Sequence, residues 1–131
     1  MTQVLTVPDV VTLALPYLRT ALNDVTITVA ASVPNPRPAG RLVTLRRAGG
    51  TRKVSNIIGV RRIDAQVWAS TEFAALQLAD TVEAHLLAAP GRVAGVTAAS
   101  SFLGPVPIPD DASGEKRALL TCTWEIKGSG A

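Results

Sequence analysis

The stretch Val60–Gly91, VRRIDAQVWASTEFAALQLADTVEAHLLAAPG, changes its period halfway along. From Val60 to Ala69, Ile63, Ala65, Val67 and Ala69 alternate with Arg62, Asp64, Gln66 and Trp68. That two-residue repeat predicts a strand with one face in a core. Beyond it, Phe73, Leu76, Ala79, Val82, Leu86 and Leu87 recur at helical spacing. Ser70 is the expected N-cap, with Glu72 in the first turn, where unpaired amides favour an acid. Pro90-Gly91 stops the helix near Ala89. A strand running into an amphipathic helix calls for a sheet with a helix layer, so the flanking sequence must supply the other strands.

Upstream, residues 8–22 read PDVVTLALPYLRTAL. Val10, Leu13, Ala14, Tyr17, Leu18 and Ala21 keep helical spacing after Asp9, and Pro16 should kink or divide the helix. Val25, Ile27 and Val29 alternate with Thr26, Thr28 and Ala30 in a short strand. Residues 32–40, SVPNPRPAG, form a loop that Pro34, Pro36 and Pro38 stiffen. Arg41–Arg47 alternates again. Gly49-Gly50 is expected to break this run with a tight turn, and residues 51–59 to link it to the next strand. The two strands then pair antiparallel as a hairpin with a long basic loop.

Downstream, 93–100 is a modest strand. FLGPVPIPDD, 102–111, carries alternate prolines that bar a central strand, and 112–117 reads as a turn. Ala118, Leu120, Cys122, Trp124 and Ile126 define the inner face of a last strand, and 128–131 a loose, flexible tail. The order is α-β-β-β-α-β-β. It predicts a single α+β domain over 1–131, an antiparallel or mixed sheet with two main helices on one side and no required parallel crossover. Leu42, Val43, Ile63, Val67, Phe73, Leu76, Leu120 and Trp124 are the expected fold residues.

Charged residues make up 18% of the 131, below the roughly 25% usual for soluble domains, so part of the surface suits a partner. The charge is also uneven. Residues 37–62 hold eight Arg or Lys and no acid, whereas residues 81–131 hold four basic and five acidic groups. A lone cysteine, Cys122, excludes an intrachain disulfide and a multi-cysteine metal site. No stretch has the basic and apolar pattern of a secretory leader or the ~18 apolar residues of a membrane helix. The expectation is a soluble protein made in a reducing compartment, without membrane contact.

Chemistry finds little support. His85 is the single histidine, and it falls mid-helix beside the apolar stripe; Cys122 falls on the inner face of a strand. The adjacent Asp110-Asp111 suits a turn better than a separated acid pair. RRAGGTRK lacks the spacing of a phosphate loop. The reading is no enzyme, no cofactor, no metal and no catalytic residue. Two binding roles remain. Eight cations could follow a phosphate backbone, although Trp68 is the one aromatic among them and no helix is basic. Alternatively, the strand edges and the basic hairpin suit a ring subunit whose neighbour covers them. Arg41, Arg46, Arg47, Arg52, Lys53, Arg61 and Arg62 are the candidate subunit-interface or lumen-facing residues.

The ordered set of an N-terminal PDV helix, LVTLRRAGG, RRIDAQVWASTEFAALQLADTVEAHL, GPVPIPDD and ALLTCTWEI resembles the tail terminator proteins of long-tailed bacteriophages, especially those of actinobacteria. The resemblance spans nearly the whole chain. It rests most on Asp64 to Leu87 and on Pro109-Asp110, with no single diagnostic motif. It implies an α+β subunit of a hexameric ring that caps the tail tube and stops its polymerisation. Such a ring also joins the tail to the head connector. It implies a homo-hexamer with tail tube protein and a connector or neck protein as partners, in the virion at the head–tail joint and in the host cytoplasm during assembly. Passing DNA would meet lumen-facing arginines transiently. The alternatives are an adjacent neck or completion protein and a small basic nucleic-acid-contacting domain.

Overall fold

The computed structural model describes residues 4–53, 57–108 and 116–130. A short strand β1 (Leu5–Thr6) precedes helix α1 (Val10–Leu22), followed by β2 (Ile27–Ala30), β3 (Arg41–Lys53) and β4 (Ile58–Ala69). Helix α2 (Glu72–Leu87), β5 (Val96–Ile108), β6 (Lys116–Lys127) and a short β7 (Ser129–Gly130) complete the chain. Five strands form one mixed sheet in the order β2-β3-β4-β6-β5. The fold is therefore the expected α+β arrangement, with both helices packed on one sheet face.

Local chemistry sets the helix ends. The Asp9 carboxylate accepts from the Thr12 amide at 2.9 Å and from its hydroxyl at 2.8 Å, which caps α1. Asn23 closes α1 in the left-handed region. Pro16 does not divide it: the helix is one element of 13 residues across the proline. For α2 the cap is Thr71, not Ser70; its hydroxyl accepts from the Ala74 amide at 3.1 Å.

The inner sheet face carries Val43, Leu45, Ile63, Ala65, Val67, Leu120, Cys122, Trp124 and Ile126, all buried against Val10, Ala14 and Leu18 of α1 and Ala75, Leu78, Ala79, Val82 and Leu86 of α2. Trp124 ties the layers together. Its indole N–H donates to the Leu86 carbonyl at 2.9 Å, and its ring meets Tyr17 edge-on at 6.3 Å. The Tyr17 hydroxyl in turn donates to the His85 carbonyl at 2.6 Å.

Several expectations need correction. Val25 is fully exposed, and β2 begins only at Ile27. Phe73 is also exposed, because Ala75 and Leu78 take the buried stripe in its place. Gly49-Gly50 does not end β3. The strand continues to Lys53, with a register shift between Arg47 and Gly50. Because β4 and β5 both pair antiparallel with β6, they run parallel to each other, so β4-α2-β5 is a crossover that spans β6. The strand expected over 93–100 extends to Ile108; the segment 102–108 is the far half of edge strand β5, in keeping with prolines that bar a central strand, and pairs with β6 through register shifts. Ser129–Gly130, read as loose tail, pair antiparallel with Leu5–Thr6. The expected turn around Pro109, Asp110 and Asp111 lies outside the described residues.

Candidate functional site

The sheet face opposite the helices has no second layer among the described residues. In β4 it presents Arg62, Asp64, Gln66 and Trp68, and in β6 Arg117, Leu119, Thr121, Thr123 and Glu125, as the register dictates. Arg46 lies across from Asp64, and Val106 across from Leu119. Part of this open face is closed. Leu42, Thr44 and Trp68 are buried, and the guanidiniums of Arg37 and Arg117 stand over the Trp68 ring at 5.3 and 5.9 Å. Toward β5 the face is bare. Phe102 is 60% exposed, Leu103 39% and Val106 36%. The Arg62 guanidinium stacks on Phe102 at 4.0 Å, within cation–π range, while its buried Nε has no hydrogen-bond partner.

The β3 irregularity sorts the basic residues. Arg47 pairs with Ile63 and Gly50 with Arg61, so Ala48 and Gly49 stand opposite Arg62 alone and one extra residue bulges between them. Gly49 and Gly50 have φ of +89° and +144°, which only glycine adopts without strain. A side chain at Gly50 would also sit 1.7 Å from the Val60 carbonyl oxygen.

The seven candidate residues therefore do not form one surface. Arg46, Lys53 and Arg62 belong to the open face; Arg47, Arg52 and Arg61 belong to the helix side of the hairpin. There Arg52 donates to the Leu5 carbonyl at 2.8 Å and Arg61 to the Thr51 carbonyl at 2.7 Å. Burial, and then the charges of Arg47 and Arg52, press the Arg61 guanidinium below its ordinary value. Arg41 is separate again. It donates to Asp24 at 2.8 Å and to the Thr26 hydroxyl at 3.0 Å beside the start of β2.

Nor is the positive charge unopposed. Asp24 meets Arg41, Asp9 stands 3.6 Å from Arg47, and Glu125 pairs with Lys53. The acid-free span of sequence draws its acids from other elements. All three pairs are solvent-exposed, so screening by water leaves each a weak contribution to stability.

The remaining reactive groups lie apart from this surface. Cys122 is buried, and burial, followed by the nearby Glu83 charge, pushes its thiol up to about 12. Among the described residues no cluster of three or more His, Cys, Asp or Glu could hold a metal, and no helix is long and apolar enough to cross a membrane. A recess of about 270 Å³ at one end of the sheet is lined by Glu72, Pro107, Ile108, Lys116 and Arg117.

Sequence reasoning missed Phe102, Leu103 and Val106. Their alternation is broken by Gly104 and Pro105 and shifted by the bulges in β5, so no two-residue repeat survives to mark a face. No protein-family model and no curated protein matches the chain.

Proposed function

We propose that this protein is a structural subunit of a ring, of the kind its sequence resembles: a phage tail terminator that caps the tail tube and offers a joining surface to the head. The observation that carries the reading is the bare half of the open sheet face. There a five-stranded sheet exposes Phe102, Leu103 and Val106 beside Arg62, whose buried Nε lacks a partner. An exposed apolar patch rimmed by charge is the ordinary mark of a protein contact. The edges add to it. β2 pairs with only Arg41–Thr44 of β3, so among the described residues the far half of β3 has no strand beyond it. Arginines and a bulge at that edge, and bulges with Pro105 and Pro107 in β5, discourage indiscriminate strand pairing and leave side-chain contacts as the means of assembly.

A homo-hexamer with tail tube and connector or neck protein as partners follows from the resemblance, as does a location in the virion at the head–tail joint. The role needs neither catalysis nor a cofactor. Light scattering across concentration and salt, with negative-stain imaging, tests it. A species near six times 13.6 kDa is expected. A chain that stays monomeric alone and does not bind purified tail tubes would overturn the reading.

The guanidinium cluster of Arg47, Arg52 and Arg61 favours a second contact, with DNA passing through the ring. Three cations close enough to perturb one another suit a polyanion. Reversal of Arg47 to Glu should weaken retention of duplex DNA at low salt and flatten its salt dependence by about one unit of slope. Unchanged retention removes this contact.

A further inference from the structure

The two sides of the domain are matched in apolar content and opposed in charge. The outer surface of α2 exposes Phe73, at 75%, together with Glu72, Gln77 and Asp80, and the helix contains no Lys or Arg. On the other side, the open sheet face exposes Phe102, Leu103 and Val106 among Arg46, Arg62 and Arg117, which with Lys53 outnumber the two acids of that face, Asp64 and Glu125. Resting on the ring reading above, we infer that α2 of one copy docks on the open sheet face of the next. Phe73 enters the Phe102–Val106 stripe, and the α2 carboxylates reach the arginines beside it.

Size and charge both point to a second copy as the occupant. The four long strands β3, β4, β6 and β5, spaced about 4.8 Å and about 12 residues long at about 3.3 Å each, make a face of roughly 14 by 40 Å. Its area, about 570 Å², is of the same order as the ~800 Å² per partner of a stable protein interface. The buried Arg62 Nε lies beside that stripe, where an incoming carboxylate can satisfy it. Because the two patches are different and lie on opposite sides of one domain, the contact is head to tail. Repetition closes a ring when the rotation between copies divides a full turn.

The test uses single substitutions that break one patch at a time. Phe102→Asp and, separately, Val106→Asp spoil the sheet face; Phe73→Asp spoils the helix face. All three positions are exposed, and an unchanged melting temperature verifies folding. Val106→Asp keeps the ring under Arg62, so it guards against a local rearrangement at Phe102. Each variant alone is expected to lose every species above the monomer, with self-association weakened at least tenfold. A mixture of Phe73→Asp with either sheet variant retains one intact contact. It should yield a species near twice 13.6 kDa and nothing larger.

Loss of assembly in only the sheet variants, or only in Phe73→Asp, would mean contact between like patches and would overturn the inference. Assembly untouched by all three would also overturn it, while leaving the ring standing. Reduced duplex DNA retention by the sheet variants with intact self-association would assign the face to nucleic acid and overturn it as well. Wild-type chain that is monomeric to millimolar concentration sinks the head-to-tail contact. Tail-tube binding then decides the terminator reading separately.

Discussion

Replacement of Trp124 by Phe tests how the helices are held on the sheet. The indole is fully buried, donates to the Leu86 carbonyl at 2.9 Å, and packs edge-on against Tyr17. Loss of the N–H removes one hydrogen bond, worth about 1 kcal/mol. Leu86 also accepts a long 3.4 Å bond from Ala89, so its carbonyl is not stripped of partners. The smaller ring leaves a void of roughly 40 Å³, and about 24 cal/mol per Å³ makes that another ~1 kcal/mol. The expected loss is about 2 kcal/mol. At about 2.1 cal/mol/K per residue the unfolding entropy of a domain this size is near 0.28 kcal/mol/K, so the melting temperature should fall by about 7 °C. Far-UV circular dichroism with urea and with heat measures it without relying on tryptophan emission. A fall under 2 °C would refute both the buried donor and the tight packing around it.

Three further outcomes follow from particular residues. Gly50→Ala should destabilise far more than Gly49→Ala: a Cβ at Gly50 collides with the Val60 carbonyl, whereas Gly49 has open space and only the ~1–3 kcal/mol strain of positive φ. Equal melting temperatures for the two variants would contradict the bulge. Cys122, with its thiol near 12, should react at pH 8 on the order of a thousandfold more slowly than an exposed thiol, and full reactivity should return in denaturant; rapid labelling of the native chain by a disulfide reagent would place the thiol outside the core. The Asp24 carboxyl is held below its ordinary value, first by the Thr26 hydroxyl and amide and then by Arg41. Its stabilising contribution is therefore present above the ordinary carboxyl range and lost as pH falls through the lowered folded value. Asp24→Asn should flatten the acid side of the stability profile slightly, and an unaltered profile would remove Asp24 from that account.

The central strands and α2 were readable because their patterns have a single interpretation. Ile63 to Ala69 and Ala118 to Ile126 alternate without interruption, and every inner residue among them is buried. Where two principles competed, the simpler one failed. Paired glycines suit a turn, yet positive φ serves a bulge equally well, and at Gly49-Gly50 the cross-strand pairing on both sides favoured the bulge. Phe73 is the most hydrophobic residue of its turn, but α2 faces the sheet through Ala75 and Leu78, and the small alanine permits close approach. Among the candidate site residues, sequence showed the concentration of arginines and could not show its division. A one-residue bulge count decides which face each side chain takes. Their acidic partners Asp24, Asp9 and Glu125 lie 17, 38 and 72 positions along the chain from Arg41, Arg47 and Lys53, and folding brings each beside its cation.

The pairing of β4 with β6 runs through all 12 register positions from Ile58 to Ala69 without a shift, while β3 and β5 each join that pair with interruptions. The sheet therefore has a stiff keel and two compliant margins. A pull along the strand direction at the centre must shear many hydrogen bonds at once, whereas the margins can bend or peel at their bulges one step at a time. Amide exchange should be slowest along the middle of β4 and β6 and quicken outward. A subunit built this way can adapt its rims to neighbours of slightly different curvature without disturbing the core that Trp124 anchors.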